Sequence, residues 1–239
     1  MPLPQISTPK YEIELPSTGE LVEYRPFLVK EEKLLILALE SQDNKQITNS
    51  IKDVIKNCIL TKGIKVDKLP TFDIEYLFLN IRGKSVGEEL EVSIVCPDDE
   101  ETVVPVKIYI DEITVKKNDE HTKIIKVDDK ISIEMKYPSL DHFIQSNFDF
   151  NSKSTVEQSF DLIASCIDQI YTEDQSWAAS DTTKKELIGF LEQMNATQFK
   201  EVEKFFDTMP KLYHEVEIEN PNTKVKHVVP LEGLSDFFG

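Results

Sequence analysis

Four histidines and three cysteines carry most of the reactive chemistry in this chain, and their spacing matches no catalytic or metal-binding pattern. Cys96, in Cys96-Pro97-Asp98-Asp99, sits where half of a zinc knuckle would sit, at the tip of an expected hairpin. A knuckle needs two soft ligands about two residues apart and a second pair elsewhere. Position 99 is Asp and no partner pair follows, so a packed or exposed hairpin cysteine is the stronger reading. His142 follows Asp141 and His214 follows Tyr213, but neither stands beside a Gly-x-Ser-x-Gly elbow or a plausible nucleophilic cysteine. Arg82-Gly83-Lys84-Ser85-Val86-Gly87 invites a phosphate-loop reading. A phosphate loop opens a helix, however, whereas this segment follows one and leads into a strand. Capping and a tight turn account for it. The acidic runs Asp98-Asp99-Glu100-Glu101, Asp128-Asp129 and Glu31-Glu32 could in principle serve a glycosidase or a metal, but the first lacks the alternation and glycine of a calcium loop and reads as a solvated loop. No catalytic, cofactor-binding or metal-ligating residue is therefore assigned, no cofactor is expected, and the chain is not read as an enzyme.

The elements around these residues follow from hydrophobic period. Tyr11, Ile13 and Leu15 alternate, Pro16-Ser17-Thr18-Gly19 turns, and Val22, Tyr24 and Pro26 alternate again, which predicts a β-hairpin. The run LLILAL between Lys30 and Ser41 predicts a buried helix. Ile47, Ile51, Val54, Ile55, Cys58 and Ile59 predict a second helix, stopped by Gly63. Phe72, Tyr76, Leu77, Leu79 and Ile81 predict a third, ended by Arg82-Gly83. Leu90 to Cys96 and Val104 to Ile110 alternate as a half-buried antiparallel pair. A further strand pair is expected between Ile113 and Val127, around Asn118-Asp119, and another strand from Ile131 to Tyr137.

Beyond Pro138 the pattern turns helical. Leu140, Phe143 and Ile144 suggest a short helix. Val156, Phe160, Ile163, Ala164, Ile167, Ile170 and Tyr171 form one stripe and predict a long amphipathic helix. Helices around Leu187 to Met194 and Phe199 to Met209 follow, the second closed by Pro210. Val216 and Ile218, the turn Asn220-Pro221-Asn222-Thr223, and Val225, His227 and Val229 predict a last hairpin. The fold class is α+β: a helical core with antiparallel hairpins and a β-rich middle. The chain is read as a single α+β protein over 1–239, with sublobes at 1–86, 87–137 and 138–239. The proline-rich arm MPLPQISTP and the terminal Phe237-Phe238-Gly239 are expected to pack on their own domain, the alternative being docking into a neighbouring subunit.

Composition narrows the partners. The net charge of −17 repels phosphate backbones, which argues against nucleic-acid binding. The odd, scattered cysteines Cys58, Cys96 and Cys166 suit a reduced compartment, where a free cysteine behaves as a small hydrophobe. No signal peptide is apparent, and no stretch approaches the roughly 18 apolar residues of a membrane helix. A life in cytoplasm is expected.

Several segments together resemble a known family. They are Tyr24-Arg25-Pro26-Phe27-Leu28-Val29 with Glu31-Glu32-Lys33; Phe72-Asp73-Ile74-Glu75-Tyr76-Leu77-Phe78; Arg82-Gly83-Lys84-Ser85-Val86-Gly87; Met209-Pro210-Lys211-Leu212; Asn220-Pro221-Asn222-Thr223; and Leu231-Glu232-Gly233-Leu234. The chain is similar to the baseplate proteins of T-even-type contractile-tailed phages (myoviruses), the family of baseplate hub subunits and hub-assembly proteins. The resemblance implies a non-enzymatic structural or assembly role in the tail baseplate, exercised through contacts with other tail proteins. It implies production in host cytoplasm and a possible place in the virion tail. It brings no catalytic residues. Some similar proteins are expected to carry a paired-cysteine knuckle at the hairpin; Cys96 stands alone here, so no zinc is implied.

Overall fold

Alternating apolar residues pair the first strands as the sequence predicts. In the computed structural model, which describes residues 6–41, 44–139 and 155–238, β1 (Tyr11–Glu14) and β2 (Leu21–Tyr24) form an antiparallel hairpin. Two helices follow, α1 (Val29–Ser41) and α2 (Asn44–Cys58). Ile59, just past α2, bridges back to Tyr24, so the hairpin and the second helix close on one another. The α1 reading needs correction. The helix is present, but Leu34, Ile36 and Leu37 are each about half exposed, while Glu31 and Ala38 are buried. An apolar run does not say which side has neighbours, and α1 lies at the edge of the body.

Helix α3 (Thr71–Val86) is the axis of the fold. It passes through Arg82-Gly83 without stopping and ends at Gly87, whose φ of 135° is open to glycine. Gly83 sits within the last turn of the helix for a packing reason. A Cβ there would fall 2.6 Å from the Cδ1 of Ile110, so the end of that buried side chain would have to move aside. Close approach of the Ile110 side chain thus gives a packing reason for a glycine that costs roughly 1 kcal/mol in helix propensity.

Next comes the expected antiparallel hairpin of β3 (Glu89–Val95) and β4 (Val103–Tyr109), with Val92 opposite Val106. The strands predicted between Ile113 and Val127 exist as β5 (Thr114–Lys116) and β6 (Ile124–Lys126), but they do not pair with each other. β5 joins β10 (Lys211–Glu219), which also pairs β11 (Lys226–Glu232), giving the order β11-β10-β5. β6 instead opens a four-stranded sheet with β7 (Ser132–Met135), β8 (Ile167–Tyr171) and β9 (Ser176–Ala178). Asn118-Asp119 is thus a crossing between sheets, which local periodicity does not reveal.

The long helix predicted over 156–171 splits. α4 (Thr155–Cys166) stops at Cys166 and Ile167 starts β8, pairing Met135. Isoleucine and tyrosine favour strands, and a place between β7 and β9 satisfies both backbone edges of this segment. The stripe fits a helix equally well in projection, so tertiary pairing decides. α5 (Lys184–Leu191) and α6 (Ala196–Thr208) follow, each opened by a capping box: Thr183 with Glu186, and Asn195 with Gln198. The short α7 (Ser235–Phe238) ends the chain. The helix expected at Leu140, Phe143 and Ile144 lies outside the described residues.

Three hydrophobic clusters hold these elements. One joins α3 to β3, β4, β10, β11 and α7 through Ile74, Leu79, Leu90, Ile108, Leu212 and Phe237. A second packs the first hairpin and α2 on another side of α3 through Leu15, Val22, Tyr24, Cys58, Leu77 and Ile81. The third joins the four-stranded sheet to α4, α5 and α6 through Ile133, Ile167, Leu187, Val202 and Phe205. The start of α3 links to the third. The Thr71 backbone N–H and hydroxyl both donate to the Pro138 carbonyl, at 2.9 and 2.7 Å. The Phe72 ring meets Tyr137 edge-on at 5.1 Å. Leu234 and Phe237 are core residues, so the C-terminal segment packs on its own chain; at the other end Ile6 is exposed.

Candidate functional site

The densest polar arrangement among the described residues lies where the tips of two hairpins meet. Asn220 is fully buried after β10, and its side-chain oxygen accepts from the backbone N–H groups of Asn222 and Thr223. That fixes the amide orientation and aims the nitrogen at the other hairpin. It donates to both oxygens of Asp98, at 3.0 and 3.1 Å, and to Asp99 at 2.9 Å. The Thr223 hydroxyl donates to Asp98, His227 Nε2 lies 2.9 Å from the same carboxylate, and Asn222 donates to the Thr102 hydroxyl. Asp99 in turn accepts from the backbone N–H groups of Glu101 and Thr102.

The arrangement is a clasp between residues more than a hundred positions apart. Its donors hold both carboxyls below the ordinary aspartate value: Thr223 and then Asn220 lead at Asp98, and Thr102 leads at Asp99. Asp99 stands where a knuckle would carry its second soft ligand, and here it caps its own loop. Asn220→Ala should cost about 2 kcal/mol, since a buried amide loses several bonds to charged acceptors. A urea-denaturation midpoint equal to that of the native chain would show that the clasp holds nothing.

The remaining sequence candidates do not converge. Cys96 is fully buried, as are Cys58 and Cys166, and all three are free thiols. Burial raises the Cys58 thiol to about 11 and the Cys166 thiol to about 12, which leaves neither as a ready thiolate. His214 lies on β10 opposite Leu231, and His142 falls outside the described residues. Among the described residues, no three His, Cys, Asp or Glu side chains gather closely enough to hold a metal. Arg82 to Gly87 is the last turn and cap of α3, where the Ser85 hydroxyl accepts from the Phe27 N–H at 3.0 Å.

His121, which sequence reasoning passed over, packs against the Tyr137 and Phe205 rings, which also touch each other, the three centroids lying 5.1 to 5.6 Å apart. Its Nδ1 lies 2.9 Å from the Thr208 hydroxyl, which itself donates to the Lys204 carbonyl, so Nδ1 carries the proton. Burial lowers its pKa and keeps the ring neutral. Its buried Nε2 has no hydrogen-bond partner among the described residues. A shallow cleft of about 630 Å³ between α6 and the β5–β6 crossing is lined by residues of both charges, including Lys117, Asp207 and Lys211.

The geometry is that of a scaffold whose polar groups tie its own elements together. Compared with known proteins, the sequence matches the family described as T4 bacteriophage base plate protein over residues 8–239, nearly its whole length. The chain belongs to this family. It is a phage baseplate protein with a structural or assembly role, placed at the virion tail baseplate among other tail proteins. No curated protein and no solved structure matches it.

Two segments that carried the resemblance have clear structural work in this baseplate protein. Asn220-Pro221-Asn222-Thr223 forms one half of the hairpin clasp. Arg25 and Glu31, flanking Phe27 and Leu28, form a buried ion pair with Nη2 2.7 Å from Oε1. No helix among the described residues is long and apolar enough to cross a membrane.

Proposed function

We propose that this chain is a non-enzymatic component of the baseplate hub, made in host cytoplasm and acting through contacts with other tail proteins. The supporting observation is where its reactive groups have gone. The clasp carboxylates and Asn220 bond one another, and the three thiols are buried. Its outer surface meanwhile offers apolar groups such as Leu34, Ile36, Leu37 and Trp177. A charge of −17 suits basic protein surfaces and repels nucleic acid.

Co-expression with neighbouring tail-gene products should yield a complex that co-elutes in size exclusion. Elution of this chain alone against every tail protein would defeat the reading. Mass spectrometry of purified virions then distinguishes a resident hub component, which is retained, from an assembly chaperone, which is absent.

A further inference from the structure

Helix α1 presents two unlike faces. Glu31, Leu35 and Ala38, spaced by four and three, turn toward the body. The opposite face carries Val29, Lys33, Ile36, Leu37 and Glu40, all exposed, with Lys30 and Leu34 beside them. Val29 is 79% exposed and Leu34, Ile36 and Leu37 are each about 50% exposed, so this face sets large apolar side chains among charges on water.

One charge on that face is placed against the helix's own field: Glu40 lies in the last turn, where the dipole disfavours anions, while Lys33 lies one turn in from the N-terminus. Among the described residues neither has an ion-pair partner. Lys33 and Glu40 are seven residues apart, two turns on one face, with Ile36 and Leu37 midway between them.

This pattern is self-complementary in one orientation. Two copies of α1 packed antiparallel about a two-fold axis between Ile36 and Leu37 bring Ile36 against Leu37 of the other copy. Each Lys33 then meets the other copy's Glu40, and each helix N-terminus meets the other's C-terminus. A parallel pair would set Lys33 against Lys33. We infer that α1 is a homodimerisation surface, pairing antiparallel through Ile36 and Leu37 with reciprocal Lys33–Glu40 contacts. The surface is one helix face, smaller than the roughly 800 Å² per partner of a standard interface, so the dimer is weak and concentration-dependent. The pairing does not depend on the hub assignment.

Charge reversal tests it with the full chain. Sedimentation equilibrium should show reversible dimerisation that Leu37→Glu abolishes. Lys33→Glu alone sets acid against acid in the pair, and Glu40→Lys alone sets base against base. Each should weaken self-association by roughly tenfold, the scale of two exposed charge contacts. The double variant Lys33→Glu with Glu40→Lys should dimerise again. An equimolar mixture of the two single variants should form a heterodimer that neither forms alone. All these positions are exposed, so circular dichroism should be unchanged. A chain that stays monomeric at the highest soluble concentration overturns the inference. So does a mixture that associates no better than its parts, which would leave this face to a different protein.

Discussion

Replacing Glu31 by alanine is expected to cost this protein about 3–5 kcal/mol of stability, enough to threaten a domain of ordinary stability. Glu31 is 1% exposed at the start of α1, and its carboxylate receives both Arg25 guanidinium nitrogens, Nη2 at 2.7 Å and Nη1 at 3.3 Å. It also accepts from the Leu28 N–H at 2.7 Å. The same guanidinium donates to the Pro26 carbonyl, and the Arg25 backbone N–H donates to Cys58 at the end of α2. The pair thus ties β2, the entry to α1 and the exit from α2 together.

Exposed pairs such as Lys107–Glu89 contribute little, because water competes for both groups. Here removal of one partner strands a guanidinium whose side chain is 14% exposed, and the cost is that of a buried unpaired charge. Urea denaturation of Glu31→Ala checks the figure. The double variant Arg25→Met with Glu31→Leu should recover most of the loss, since a packed apolar pair needs no compensation. A double variant as unstable as the single one would locate the loss in packing. Burial opposes ionisation of Glu31, yet the Arg25 and Leu28 donors outweigh it and leave the carboxyl below its ordinary value of 4.5. The sign follows: this stabilisation is present above about pH 4.5 and is lost as the pH falls through the lower folded value.

Elements whose period and partner are both local were legible in the sequence. The hairpins β1–β2, β3–β4 and β10–β11 and the helices α5 and α6 appear where alternation, turn residues and caps predict them. What was hidden depended on distant chain. Ile167 to Tyr171 satisfies a helical stripe, and only the open flank of β7 makes it a strand. Gly83 looks like a stop until Ile110 is seen to need its space. The half-exposed α1 shows the same limit, because an apolar run specifies burial only when something is there to bury it.

The clasp and the ion pair were equally invisible. Asp98 and Asn220 read separately as a solvated loop and a turn, and nothing in either segment points to the other. The family resemblance, by contrast, was carried by short segments spread over the chain, and several of them, such as those of Arg25 and Asn220, prove to be joints between elements.

Glu75 offered one overlooked signal, a charged residue within the apolar run Phe72 to Leu79, and it underlies a strong pH effect. Its residue is 8% exposed on α3, facing the segment that leads into α7. Burial raises its carboxyl from 4.5 to about 7, although a hydrogen bond from the Leu234 backbone N–H partly offsets the rise. A folded value above the unfolded one means stability fully present below about pH 4.5 and lost as pH rises toward 7. At about 1.4 kcal/mol per unit, the ionised group costs the folded state roughly 3 kcal/mol above neutrality.

Glu75→Gln keeps an acceptor for Leu234 and removes the charge. It should therefore match the native chain near pH 4.5 and exceed it by about 2–3 kcal/mol at pH 8, the gap opening between those limits. Other carboxyls titrate alike in both proteins and cancel in the difference. Denaturation curves for the two proteins that run parallel across this range would show that Glu75 stays solvated. A gap that opens as described would show that the native chain carries a destabilising charge beneath its C-terminal segment. Because Leu234 and Phe237 share the core that Glu75 enters, hydrogen exchange at Leu234 and Phe237 should slow in Glu75→Gln at pH 8 and remain unchanged near pH 4.5.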